Sequence, residues 1–228
     1  MTVSLALDTA VMIAAVLGEP DRLWKDWRDF DKREAAPRFL PRSAPDEYSQ
    51  VVDGLGRAEP GVLETVVADG ARLIRAAGRN PPDKALVESL RLPLNRTARL
   101  QKLVPVLRAI APTGWSARAA LFALRAFERE VYVRKRDFRS RHPLFAASDA
   151  GTCEKKRAKL FAMIPSGGIS WGFDARILAE ASQHFAETGL KTEFVTDDRK
   201  HMRSRNDAIL AVTGLERLRD LQGRPLSI

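Results

Sequence analysis

Cysteine is almost absent from this 228-residue chain: Cys153 stands alone. A single thiol excludes an internal disulfide and a cysteine-based zinc site, and a reducing cytoplasm suits it best. The three histidines, His142, His184 and His201, show no metal-ligand spacing. No uncharged stretch approaches the length of a membrane span. The apolar N-terminus lacks a basic leader and is interrupted by Asp8, which argues against a signal peptide. Phosphate-binding fingerprints are missing too. Gly54-Leu55-Gly56 follows no convincing strand, and Gly61 is badly spaced for a dinucleotide motif. Ser166-Gly167-Gly168 lacks the Lys-Ser/Thr of a P-loop.

What is present is basic charge. Lysine and arginine number 38 against 29 acids, a net charge of +9. An excess of this size favours polyanionic partners, nucleic acid above all; an arginine-rich solvated surface explains it equally well. At 45% hydrophobic and 29% charged residues the chain reads as globular. Its length suits one large domain or two small ones.

Residues 3–8 read as a buried strand ending on an acid, followed by a buried helix from Ala10 to Leu17 that Gly18 stops. Trp24, Trp27 and Phe30 recur at helical spacing within 21–36, and core packing explains them better than base stacking. Residues 37–112 hold nine of the thirteen prolines. Long helices and central strands are therefore not expected there. Short helices near 47–55, 61–77, 82–91 and 96–110 make this stretch a helical insertion or subdomain. A long helix runs from Ser116 to about Arg139, and a basic one covers 154–163. From Phe173 the pattern becomes regular: helix 174–187 with Ile177, Leu178, Ala181 and Phe185 on one face, strand 192–196, a helix near 204–212, and a short strand through 215–218. Such alternation predicts βαβ units and a parallel sheet.

Three pieces carry chemistry. Leu7-Asp8-Thr9 and Phe194-Val195-Thr196-Asp197-Asp198 each place acids at a strand end, where parallel α/β sheets gather ligands. Asp174 sits at the start of Asp174-Ala175-Arg176-Ile177-Leu178-Ala179-Glu180-Ala181. Converging carboxylates suit a hard cation, because Mg²⁺ and Mn²⁺ prefer oxygen ligands. For Asp8 alone, the plainer role is to cap the helix behind it.

In order and residue type, these pieces resemble a PIN domain, the Mg²⁺-dependent nuclease fold of toxin–antitoxin ribonucleases and RNA-processing nucleases. The likeness covers residues 1–18 and roughly 170–222. It implies a three-layer α/β/α fold with a central parallel sheet. The core would be 1–20 and 114–228 of a single domain, with 21–113 inserted. It also implies a metal-dependent ribonuclease in which Asp8, Asp174 and Asp198 hold Mg²⁺ or Mn²⁺. Asp197 is the alternative at the last position, and Thr9 and Thr196 would orient the acids. The family commonly adds an acid from a middle helix. Glu128 leads narrowly over Glu64 and Glu130, although a solvent-side pairing with a neighbouring arginine explains Glu128 at least as well. Position 10, usually Asn or Ser in the family, is Ala10 here. RNA would run along Arg134, Lys135 and Arg136 and the run Lys155-Lys156-Arg157. An antitoxin protein is the partner such a toxin would have, and a homo-oligomer is compatible. The alternative is a non-catalytic nucleic-acid-binding or interaction protein on the same fold.

Overall fold

Five consecutive residues, Val3–Leu7, form the central strand β1, and four of the five are buried. A strand covered on both faces needs a near-continuous apolar run, and Val-Ser-Leu-Ala-Leu supplies it. The computed structural model describes residues 3–56, 59–110, 114–164, 168–197 and 202–226. Around β1 stand β2 (Arg38–Pro41), β3 (Leu144–Phe145), β4 (Lys191–Val195) and β5 (Arg217–Arg219), in the order β3-β2-β1-β4-β5. Every pairing is parallel: Leu5 opposes Arg38 on one side of β1 and Glu193 on the other. The protein is therefore α/β with an all-parallel sheet among the described residues.

The helices are α1 (Thr9–Leu17), α2 (Trp24–Arg33), α3 (Ser43–Val51), α4 (Val62–Ala77), α5 (Lys84–Ser89), α6 (Leu94–Ala109), α7 (Ala117–Arg141), α8 (Ala150–Met163), α9 (Gly168–Thr188) and α10 (Asn206–Thr213). No helix among the described residues is long and apolar enough to cross a membrane.

The chain forms two compact units: residues 1–13, 26–48 and 138–228 make the first, and 14–25 and 49–137 the second. Of the stretch 21–113, residues 26–48 thus belong with the sheet, while 114–137 belong with the helical unit. β2 is the element that the proline content concealed. Pro37 precedes β2 and Pro41 is its last residue, so neither interrupts it. Pro37 offers only its carbonyl, which accepts from the Leu5 N–H at 2.8 Å, and Phe39 and Leu40 between the prolines are buried.

In the sheet unit, α9 is the central helix. Trp171, Ala175, Ile177, Leu178, Ala179 and Ala181 are all fully buried, and the Trp171 indole N–H donates to the Leu160 carbonyl at 3.0 Å. Phe185, expected on this buried face, is half exposed. His184 takes the place instead. Its ring stacks on Phe39 at 4.0 Å, and its Nδ1 lies 3.2 Å from Ser4 Oγ and 3.1 Å from Thr192 Oγ1. Trp27 is buried against Phe30, Phe138 and His142, as core packing requires.

The second unit is helical, with α4, α6 and α7 around Leu63, Leu73, Ile74, Leu103, Leu107, Leu124 and Val131. A Cβ on Gly70 would stand 3.1 Å from Leu124 and 3.2 Å from Leu103, so its absence lets the helices close up. Arg96 reaches Asp69 with two hydrogen bonds of 2.6 Å, fastening α6 to α4.

Candidate metal centre

The strand order sets the place. From β1 the chain moves outward to β2 and β3, then returns to the other side of β1 for β4 and β5. The reversal leaves a crevice beyond the carboxyl ends of β1 and β4, where ligands of open parallel sheets are held. Asp8 follows β1 directly. Thr196 and Asp197 follow β4 directly.

Asp8 is 2% exposed and firmly fixed. Its Oδ1 accepts from the Thr9 N–H at 2.7 Å, and its Oδ2 accepts from the Thr196 hydroxyl at 2.6 Å. Its own N–H donates to the Val195 carbonyl at 3.1 Å, binding the two strand ends together. The Asp8 carbonyl accepts from Val11 and Met12, so the residue also opens α1. Opening α1 does not prevent Asp8 from also lying in a candidate site. Thr196 orients Asp8 as expected. The Thr9 hydroxyl instead donates to the Ala44 carbonyl, in the first turn of α3, at 3.3 Å.

Asp174, 5% exposed, lies in the second turn of α9, since that helix begins at Gly168. α9 ends two residues short of β4, so its N-terminal half points to the carboxyl ends of the strands.

The third acid is Glu47, on α3. One carboxylate oxygen from each of Asp8, Glu47 and Asp174 lies within 4.8 Å of the others, and this group is buried. Ligands at about 2.1 Å around Mg²⁺ stand roughly 3–4.2 Å apart. Three oxygen donors so arranged can bind a metal ion, and their hardness suits a divalent cation of that class. Asp198 lies outside the described residues.

Glu128, Glu130 and Glu64 belong to the second unit. Glu128 accepts from Arg125 Nη1 at 3.1 Å, the neighbour pairing that its position suggested. Glu130 pairs with Arg134 at 3.3 Å. Glu47 does not stand out in the sequence because the proline-bearing stretch before it does not read as a strand. Yet Phe39-Leu40-Pro41 followed by Ser43-Ala44-Pro45-Asp46 is a strand end leading into a helix-start signature.

No family model, curated protein or solved structure matches the chain.

Glu180 aligns the elements. It is buried on α9, six residues after Asp174, and its two oxygens accept from the Ser43 N–H at 2.8 Å and the Ser43 hydroxyl at 2.5 Å. A carboxylate there satisfies an orphan N–H of α3 and complements the positive end of its dipole. The helix bearing Glu47 is thereby latched to the helix bearing Asp174. Glu180→Ala is expected to lower stability by about 2 kcal/mol, the scale of charge-assisted hydrogen bonds, and to weaken cation binding by letting α3 drift. Thermal melts with and without Mn²⁺ check both. An unchanged melt would mean that the latch carries no strain.

The basic residues divide. Arg134 reaches the Leu17 carbonyl at 3.4 Å and lies over the Trp24 ring, and Lys135 is paired with Asp53. Both are half-buried, with these partners inside the second unit. Lys156 is likewise engaged, donating to Ser182 Oγ at 3.1 Å and to the Thr213 carbonyl at 3.3 Å. Burial pulls its pKa down. Arg157 forks onto Glu154 at 2.8 and 2.5 Å. Arg136 and Lys155 face solvent.

Proposed function

We propose that this protein is a metal-dependent nuclease that hydrolyses RNA phosphodiester bonds, with Asp8, Glu47 and Asp174 holding Mg²⁺ or Mn²⁺. The observation that carries the reading is the convergence of these three buried carboxylates at the point where the strand order reverses. Two of the three are residues that the PIN resemblance assigns to the metal. Glu47 supplies the middle acid that the resemblance calls for, on a helix following a strand. A three-layer α/β/α arrangement belongs to the same proposal.

A bound divalent cation would lower the pKa of a water, orient it in line and neutralise charge on the leaving oxygen. The chain's own groups prepare for that. Thr196 and the Thr9 N–H hold Asp8 in one orientation, and burial limits competition from bulk water. Glu180 keeps α3 and α9 in register. The net charge of +9 favours a polyanionic substrate.

The test is calorimetric titration of Mn²⁺ into wild type and Glu47→Gln, alongside cleavage of a labelled single-stranded RNA. Removing a direct charged ligand is expected to cost at least about 100-fold in affinity, the upper end for changes to groups that only hydrogen-bond to a metal's ligands. Cleavage should fall with it and should stop in EDTA. Equal Mn²⁺ affinity in the two proteins would remove Glu47 from the site. Tight Mn²⁺ binding without cleavage of any RNA would overturn the catalytic reading.

A further inference from the structure

Helix α7 carries an unusual face. Arg118, Phe122, Arg125, Arg129, Tyr132 and Arg136 recur at spacings of three and four, so they share one stripe. All six are solvent-exposed, and all lie in the second unit. At 1.5 Å per residue the stripe is about 27 Å long. Phe122 is 69% exposed and Tyr132 54% exposed, although apolar neighbours on the same helix, Leu124, Phe127 and Val131, are buried. The two aromatics thus stand out from the packed face.

The arginines between them are available. Among the described residues neither Arg118 nor Arg129 is in an ion pair. Arg129 instead lies over the Phe122 ring, 5.9 Å from its centroid. Arg125, itself exposed, pairs with partly exposed Glu128 at 3.1 Å, and exposed Arg136 pairs with exposed Asp137 at 3.5 Å. Such pairs are screened and weak, and a phosphate can displace them. A helix-packing seam would place aliphatic residues at this spacing; four arginines there oppose docking of a second copy by charge repulsion.

We propose that this stripe binds single-stranded nucleic acid. Bases would stack on Phe122 and Tyr132, and Arg118, Arg125, Arg129 and Arg136 would neutralise the phosphates. Aromatic platforms set among arginines fit strands whose bases are unstacked, because every base offers a π-face. A duplex hides those faces and should bind less well. The inference deepens the nuclease reading by naming the strandedness of the substrate, but it rests on its own residues.

The test keeps the two readings apart by working in EDTA, where no cleavage occurs. Fluorescence anisotropy of the full chain is measured with a labelled 15-nucleotide oligo(U), the matching oligo(dT) and a 15-base-pair duplex, at 50 and 200 mM KCl. Both single strands are expected to bind more tightly than the duplex. Phe122→Ala and Tyr132→Ala should each weaken single-strand binding about tenfold, within the range for one stacked base, with the salt slope unchanged. Phe122→Trp should restore it. Arg125→Ala/Arg129→Ala should reduce the slope by about 1.4, or 0.7 per lost phosphate contact. All these side chains are exposed, so the variants should melt like wild type. Wild-type affinity in both alanine variants, equal or tighter duplex binding, or a concentration-dependent dimer dispersed by Phe122→Ala would each overturn the proposal.

Discussion

Asp174→Asn should fold normally and lose about a thousandfold or more in metal-dependent RNA cleavage. The amide keeps the volume of the side chain and removes the charge that balances the cation. Metal sites supply several kcal/mol of transition-state stabilisation, and each 1.36 kcal/mol is tenfold in rate. Stability should move the other way. Without a cation, carboxylates whose oxygens lie within 4.8 Å repel one another, by a few kcal/mol per fully charged pair at an effective dielectric of about 20. Removing one charge should leave the melting temperature of the metal-free protein unchanged or raise it. Added Mn²⁺ should stabilise wild type and not the variant, since a ligand stabilises only the state that binds it. Melting curves with and without Mn²⁺, beside a cleavage assay, check all three parts. A folded variant that cleaves at the wild-type rate would take Asp174 out of the chemistry.

The second large effect concerns acid. His142 is 3% exposed and packs between Phe138 and Trp27, with its Nδ1–H donating to the Phe138 carbonyl at 2.7 Å. Burial drives its pKa from 6.5 down to about 4; the hydrogen bond opposes this, and the charges of Arg38 and Arg141 add to the depression. In the unfolded chain the imidazole takes up a proton near pH 6.5, whereas the folded state refuses it until about pH 4. The stability tied to neutral His142 is therefore complete above pH 6.5 and lost as pH falls through that window. At 1.36 kcal/mol per pKa unit the loss comes to about 3 kcal/mol at pH 4. Urea melts of wild type and His142→Asn from pH 7.5 to pH 4 measure it. The wild-type midpoint should drop through the window while the asparagine variant shows a much flatter profile. Parallel profiles would assign the acid sensitivity to other groups.

How much of this could be read beforehand depends on how local each signal was. β1, α1, α4, α9 and β4 were legible because each is an uninterrupted apolar pattern of the right period. Asp8 stood out because it ends such a pattern, and Asp174 because it opens the regular stretch of α9, although that helix begins at Gly168 and puts Asp174 in its second turn. β2 and Glu47 were not. Pro37 and Pro41 look like strand breakers in a sequence, and only the sheet reveals that they sit at the ends of β2. Phe185 and His184 traded places for a related reason. Helical periodicity ranks Phe185 as the buried neighbour, but Phe39 and Ser4, far away in sequence, together with Thr192 on β4 select an imidazole that both stacks and hydrogen-bonds. Arg134 and Lys135 read as a solvated charge run; their partners Leu17, Trp24 and Asp53 lie some 80 to 120 residues upstream.

The clasp between the ends of β1 and β4 bears on how the protein is made. Asp8 is synthesised some 187 residues ahead of its fixing groups, Val195 and Thr196. At about 5–20 residues per second of synthesis the gap is roughly 10–40 s. Throughout that interval the central strand has no neighbour on its β4 side, and Asp8 lacks the hydroxyl that orients it. Pairings of such long sequence separation form late and slowly. A nascent chain therefore carries Asp8 and Glu47 without an assembled carboxylate cluster until the second half of the sheet has been translated.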